Sequence, residues 1–383
     1  MSISEPPADW SKEWFKVDDA TYLNTAARAL LPRVAVSAVQ ASLDAGRSHQ
    51  ITDSPYFDMP NRLRANLAKL IGGKPIEIAL TTGAGTGMSA LSYLLHWNPG
   101  DEVITAKGEF PLQHATWKPM EEREGIKLTM VTARDRFITA DDLIDAITPR
   151  TRVVSVSHVR FDDGSLLDAS RVAAACHAVG ALFVLDVSQS CGAEPLDVAE
   201  LGVDFLVCAG YKWLLGPFGT GFFWVRSDHL AKARPGPFNW AAQDSDTFSA
   251  LNFMNPEPSR NARRWDVAES QTLFNFNLTA MDAAVDLVLR AEPARVREHN
   301  RALIQLLFDN LPARCIPASP LDPAQRGPYG CFAGQTPEDT ADLYRRLRNE
   351  NFVVAMREGK IRVSPHLFNS TDDITRLIRA LGT

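Results

Sequence analysis

One stretch of this chain concentrates residues able to do chemistry. Residues 182–225 read LFVLDVSQSCGAEPLDVAELGVDFLVCAGYKWLLGPFGTGFFWV. An apolar run ends in Asp186, and Gln189 follows three residues later. A second apolar run ends in Gly210-Tyr211-Lys212, just ahead of the Gly/Pro-rich turn GPFGTG. Open α/β sheets bind ligands at the carboxyl ends of their strands. A lysine at such an end, beside a tight turn, can face a cleft with its amine partly desolvated. Desolvation favours the neutral, nucleophilic amine. A carboxylate in the same cleft suits a pyridinium nitrogen: the fixed anion keeps that nitrogen protonated, and the ring can then accept electrons from a carbanion. Asp186 alone would read as a strand-end cap; next to Lys212 at this spacing it reads as a partner.

Three further segments could complete such a site. TTGAGTGMSAL, from Thr81, has the order strand, Gly-rich turn, helix. Backbone N–H groups at that helix start, with a threonine hydroxyl, bind phosphate well, although a Gly turn before a helix is more often structural. Arg362 in KIRVSPHLFN can fork onto a carboxylate through two parallel hydrogen bonds; the bland reading is a strand-surface arginine. In SHVRFDDG, His158 and Arg160 either point into the pocket or pack within a strand.

These residues need a frame. From about residue 60 the chain alternates short apolar runs with helical patterns. IEIALTTG, DEVITA, IKLTMV, TRVVSVS, ALFVLDVS, VDFLVCAG and GTGFFWVR each read as a strand. Most are apolar on both faces, as strands buried in a mostly parallel sheet are. GMSALSYLLHW, TADDLIDAIT and DASRVAAACHAVG carry apolar residues at helical spacing. Thr139 and Asp168 sit where helix starts are capped, and Gly180 where a helix ends. The alternation predicts an α/β layered domain. Residues 234–262, rich in Pro, Asn and Ser, read as a long surface loop. One long helix is expected within 277–311, then a small α+β unit built from GPYGCFAG, FVVAMRE, KIRVSP and two helices. The division expected is an N-terminal segment, 1–19, packing with the small domain; a large domain, 20–275; and a linking helix with the small C-terminal domain, 276–383.

Composition narrows the class. A formal net charge of −6 with no basic block argues against nucleic acid or an anionic membrane as the main partner. No run approaches the length of a membrane span, and MSISEPPADW lacks the order of a secretory signal. The five cysteines form no C-x-x-C pair and no metal spacing. A cytoplasmic protein with no metal site is the simplest expectation. No G-x-G-x-x-G with a following acid supports a nicotinamide enzyme.

The pair D-x-x-Q and G-Y-K-W-x-x-G-P-x-G-T-G resembles the class V aminotransferases, the group of cysteine desulfurases, selenocysteine lyases, isopenicillin epimerases and kynureninases. The likeness runs from YLNTAARALLP to RVSPHLFNSTDDITRL. It implies the type I fold of pyridoxal 5′-phosphate (PLP) dependent transferases, with a mostly parallel seven-stranded sheet in the large domain. It implies Lys212 as the Schiff-base lysine and general acid/base, Asp186 on the pyridinium nitrogen and Gln189 on the ring 3-hydroxyl oxygen. Ala84, Gly85 and Thr86 would form the phosphate loop, and Tyr211 would donate to the phosphate. The aromatic side chain stacked on the cofactor is Phe110, as in kynureninases, with His114 the rival, as in desulfurases. Arg362 would hold the α-carboxylate in a pocket also lined by the segment with Asn24 and Ala26. Glu269 and Ser270 would reach the partner subunit's phosphate in a homodimer.

Departures matter as much. Where desulfurases carry a mobile Cys before the arginine, this chain has the short AMREGKIRV. A serine donor to phosphate in many relatives is Ala209, and Phe161 stands near a usual Asn. The expected function is PLP chemistry at the α-carbon of an amino acid, through an external aldimine. The favoured outcome is a lyase that cleaves the C–S bond of a cysteine-type or S-substituted amino acid by β-elimination, without a persulfide cysteine. Transamination or oxidative deamination, epimerisation in a biosynthetic pathway, and a non-catalytic PLP-fold binding protein are the alternatives.

Overall fold

All seven runs read as strands are strands, and they form one sheet. In the computed structural model, residues 10–17, 19–46, 58–234, 236, 238–245, 250–266 and 276–382 are described. Numbered in chain order, the strands are β1 (Thr21–Tyr22), β2 (Ile78–Thr81), β3 (Glu102–Ala106), β4 (Lys127–Val131), β5 (Thr151–Ser157), β6 (Leu182–Asp186), β7 (Phe205–Ala209) and β8 (Gly221–Val225). After them come β9 (Cys315–Pro317), β10 (Gly330–Gly334), β11 (Phe352–Val353), β12 (Ala355–Arg357) and β13 (Lys360–Val363). The large sheet has the order β2-β8-β7-β6-β5-β3-β4. Only β8 runs antiparallel to its neighbours, β7 and β2. Every residue of β6, β7 and β8 is buried, because helices cover both faces.

Those helices are α1 (Arg33–Gly46), α2 (Asp58–Ile71), α3 (Ala84–Leu94), α4 (Pro111–Glu124), α5 (Ala140–Ile144), α6 (Ala169–Ala178), α7 (Val198–Leu201) and α8 (Ser227–Leu230). On one face, Met88, Leu91 and Trp117 of α3 and α4 pack with Val184, Val207 and Phe223. On the other, Val172 and Cys176 of α6 pack with Phe183, Leu185 and Phe222. The expected caps are present. Thr139 accepts from the Asp142 N–H, Asp168 accepts from the Arg171 N–H, and Gly180 has φ 79°.

The expected long helix is two. α9 (Phe276–Ala291) and α10 (Pro293–Asp309) meet at Glu292, which has φ 61°. Pro293 is the cause: it suits the first position of a helix but forces the preceding residue out of helical geometry. Beyond α10, the four-stranded antiparallel sheet β12-β13-β10-β9 packs with α11 (Pro337–Asn349) and α12 (Thr371–Gly382). Its core holds Leu307, Phe332, Leu343, Ile361, Val363 and Leu377. The N-terminal chain joins this unit. β1 pairs parallel with β11, and Asn24 bridges to Ser364. Trp14 meets His366 and Phe368 edge-on. The unit meets the large domain where Arg362 of β13 donates to Phe161 O, in the loop beyond the carboxyl end of β5.

Candidate active site

Lys212 is held by a turn that few sequences can make. After β7, the Gly210 N–H donates to Thr220 O at 2.8 Å and the Gly216 N–H to Gly210 O at 2.9 Å. A Cβ at position 210 would lie 2.3 Å from Thr220 Oγ1, so only glycine fits. The Leu215 N–H donates to Lys212 O at 3.0 Å, and Leu215 itself is buried at φ 60°. A bulky residue held in that left-handed region marks a backbone over-determined by its surroundings, as functional turns often are.

β6 and β7 run parallel side by side, so their carboxyl ends emerge together. Asp186 and Lys212 therefore line one cavity of about 180 Å³, shared with Gly83–Gly85, Phe110, Phe161 and Gln189. Burial pushes the Lys212 amine down to about 8; Asp186 opposes that shift, and the charges of Arg362 and Arg357 add to it. No ion pair to Lys212 occurs among the described residues. The result is an amine largely neutral just above pH 8 and poised to act as nucleophile or base.

The cradle lies across the cavity. α3 begins at Ala84 with no side-chain cap, so the N–H groups of its first turn are open to an anion. The Thr86 hydroxyl donates to Gly83 O at 2.8 Å and accepts from the Thr82 hydroxyl at 3.4 Å. β8 comes close behind this turn, and a Cβ at Gly221 would lie 2.6 Å from Gly83 Cα. Tyr211 lines the same cavity, with its ring 4.4 Å from that of Phe218. The Phe110 ring centre is 5.6 Å from Lys212 Nζ and meets Phe161 edge-on at 5.4 Å.

Gln189 is fixed at both ends. Its Oε1 accepts from the Trp213 indole at 3.0 Å and its Nε2 donates to Ala26 O at 3.0 Å, which leaves one amide N–H free. Ala26 in turn donates its N–H to Ser364 Oγ at 3.0 Å. One chain of bonds thus runs from the site to the loop after β13. Arg362, on β13, is 1% exposed. Its Nη1 donates to Phe161 O at 2.8 Å and its guanidinium lies 5.4 Å from the Tyr329 ring centre. Its Nε is buried without a partner, and no carboxylate pairs with it among the described residues. A buried cation in that state calls for an anion from outside. Asn24 stands beside Ser364 with its Oδ1 buried and unpartnered.

Two expected pocket residues are elsewhere. His114 is exposed on α4 and does not line the cavity. Phe110 does, because it precedes the helix in an extended conformation, φ −54° and ψ 139°, and leaves the helical register. His158 is buried with its Nδ1 3.0 Å from Ser190 Oγ. Desolvation lowers its pKa to about 4, so it is a neutral packed residue behind the site. Arg160 likewise ties down local backbone, donating to Gly108 O at 2.7 Å. Glu269 and Ser270 lie outside the described residues.

Sequence reasoning missed Ser157, Ser188 and Glu109. Ser157 pairs with Asp186 across parallel strands and lines the cavity. Glu109 accepts from the Ser157 N–H at 3.0 Å and its hydroxyl at 2.6 Å. Burial raises the Glu109 carboxyl pKa, with Arg160 opposing. The Ser188 hydroxyl accepts from the Ala209 N–H at 3.0 Å. The strand-end position of Ser157 was the available signal.

An amine, an acid facing it across a small cavity, an uncapped helix start and an unpaired buried arginine are the donor set that PLP and an amino acid require. The residues present fit that cofactor. The sequence profile described as Aminotransferase class-V matches residues 21–367. This chain belongs to the class-V aminotransferase family. Members of the family are PLP-dependent enzymes, and PLP is the cofactor here. A probable cysteine desulfurase of Methanothermobacter thermautotrophicus is 30% identical over 82% of this chain and 80% of that protein. An isopenicillin N epimerase of Amycolatopsis lactamdurans is 27% identical, covering 83% of each chain. The fold matches the cystine C–S lyase C-DES, in complex with its product cysteine persulfide, at a TM-score of 0.85 and 23% identity, over 96% of this chain and 99% of that one. Another C-DES structure has glycine covalently linked to its PLP cofactor. Within this class-V chain no described helix is long and apolar enough to cross a membrane.

Proposed function

We propose that this class-V enzyme is a C–S lyase that cleaves cysteine-type or S-substituted amino acids by β-elimination. The observation that carries the reading is the cavity's short supply of proton-transfer groups. Among the lining residues only Asp186, Tyr211 and Lys212 titrate; Phe110, Leu112, Val159 and Phe161 make much of the rest apolar. Elimination needs one base at the α-carbon. Epimerisation by two groups needs a second, placed for the other face. When bound, PLP supplies the electron sink that makes the α-proton acidic. Asp186 would hold the proton on the ring nitrogen, and Gln189 would offer its free N–H to the ring oxygen. Arg362 would fix the substrate carboxylate. Lys212 would take the α-proton while the sulfur leaves the β-carbon with the bonding electron pair; hydrolysis then yields pyruvate and ammonia, with the sulfur released as a thiol from a thioether and as a persulfide from cystine.

A persulfide route has little to support it. All five cysteines are buried, and the β12–β13 connection is a two-residue turn, Glu358 at φ 45° and Gly359 at φ 72°. Both left-handed positions make it a tight hairpin, too short for a mobile loop. The same reading takes the enzyme to be a cytoplasmic homodimer, free thiols being in keeping with a reducing compartment.

The test is pyruvate release by the PLP-loaded protein from S-methyl-L-cysteine and L-cystine, with no 2-oxo acid added. Pyruvate should form, and Lys212→Ala should cut the rate at least about a thousandfold, through loss of nucleophile and base. A strict need for a 2-oxo acid would make the enzyme an aminotransferase. Inversion of the α-carbon without pyruvate would make it an epimerase.

A further inference from the structure

The hairpin that carries Arg362 carries two more cations. β12 and β13 pair with Ala355 opposite Arg362 and Arg357 opposite Lys360. Opposed residues, and residues two apart along a strand, point to the same side. Arg357, Lys360 and Arg362 therefore share one face. That face is turned to the loop after β5, since Lys360 Nζ donates to Asp162 Oδ2 at 3.1 Å and Arg362 Nη1 to Phe161 O at 2.8 Å.

The three cations are not equally provided for. Lys360 has Asp162 as its counter-ion. Arg362 is reserved, in the reading above, for the α-carboxylate. Arg357 is half-buried, and its Nη1 donates to the carbonyl of its own neighbour, Met356, at 2.8 Å. No carboxylate pairs with it among the described residues. It is nonetheless close enough to the site that its charge disfavours protonation of both Lys212 and Arg362. Two like charges sharing one partly desolvated face repel, and a ligand that brings two anions relieves both.

We propose that Arg357 is a specificity residue that takes a second carboxylate, carried on the side chain of the amino acid whose α-carboxylate rests on Arg362. This deepens the reading above and rests on it. The substrate class is an acidic cysteine thioether or a related amino acid with an anionic end. Arg357 and Arg362 are diagonal neighbours, about 7–8 Å apart on an antiparallel pair. Several side-chain bonds span that distance, so the second anion belongs well beyond the β-carbon.

S-carboxymethyl-L-cysteine and S-carbamoylmethyl-L-cysteine are a matched pair, equal in shape and different in charge. Dissociation constants by calorimetry and steady-state kinetics, both on the PLP-loaded protein, read the preference. The wild-type protein should favour the acid at least about tenfold, as a charge-assisted hydrogen bond predicts. In Arg357→Gln the preference should shrink to within about twofold, with the loss in KM and in the dissociation constant rather than in kcat; Arg357→Lys should keep part of it. Equal affinity for the two ligands, no binding of either, or a preference that survives in Arg357→Gln overturns the proposal. An Arg357-dependent preference without pyruvate release upholds it and sinks the lyase reading instead.

Discussion

Two buried aspartates stand at opposite edges of the same sheet and have opposite fates. Asp204, just before β7, is fully buried and fully occupied. Its Oδ2 accepts from the Phe183 N–H at 2.8 Å and pairs with His177 at 3.0 Å; its Oδ1 pairs with His229 and Arg226, each at 2.8 Å. Burial is the largest single effect and raises its pKa, but these bonds and charges together outweigh it and hold the value below the ordinary one. Asp186, at the far end of β6, accepts from the Ser188 N–H at 2.8 Å and otherwise faces the cavity. A buried carboxylate whose lone pairs are filled is a staple, whereas one left with lone pairs aimed into a cavity is a functional group. The unpaired Arg362 makes the same point with the opposite charge.

The contrast can be broken by exchanging the effects. On the proposed reading the ring nitrogen would lose its anion in Asp186→Asn, so kcat/KM should fall at least about a hundredfold, while unfolding free energy moves by no more than about 1 kcal/mol. Asp204→Asn should do the reverse. It should cost about 2–3 kcal/mol in urea unfolding, because its cationic partners keep some access to solvent, and it should leave the kcat of the folded enzyme in place. A stability loss in the first variant, or a catalytic loss in the second, would erase the distinction.

A third buried group sharpens it. His366 is 1% exposed, with both ring nitrogens unpartnered among the described residues. It stacks on Trp213 at 5.9 Å. Burial, with the charge of His299 adding, lowers its pKa from 6.5 to about 3. The unfolded chain therefore takes up a proton below 6.5 that the folded chain refuses, and stability falls as pH drops from 6.5 toward 3. His366→Phe keeps the stack and removes that proton. It should reduce the loss of stability between pH 7 and pH 5 by about 1–2 kcal/mol, read from urea midpoints. An unchanged acid limb would place the sensitivity elsewhere, His158 being the other buried neutral imidazole.

The smallest effect tests how far Asp186 acts. If Lys212 is the lysine that captures PLP, as proposed, capture by the apo protein would need its neutral amine, and the rate should climb with pH through a midpoint near 8. Asp186 raises that value; Asp186→Asn should move the midpoint to lower pH, and Asp204→Asn should not. Absorbance during cofactor loading follows both.

Much of the site could be read without coordinates because its grammar is local. Apolar runs of strand length ended at Asp186 and at Gly210-Tyr211-Lys212, and strand ends are where parallel sheets place ligands. Caps at Thr139 and Asp168 depend on bonds three residues away. The break at Glu292 was also local, in the following proline, and a continuous helical pattern hid it. The choice between Phe110 and His114 was different in kind. It turned on one extended residue ahead of α4, which takes the Phe110 ring out of the helical register and into the cavity.

By itself the sequence determined the strands, the acid and the amine, since each follows from short-range pattern and from the chemistry of two side chains. Only the tertiary structure decided which charges lack partners. Arg357 and Arg362, Asp186 and Asp204, and His158 and His366 look alike along the chain. Whether each is paired, desolvated or left facing a cavity depends on residues two hundred or more positions away, as Phe161 is from Arg362 and Trp14 from His366. Burial and counter-ions are long-range properties, and they separate a structural charge from a working one.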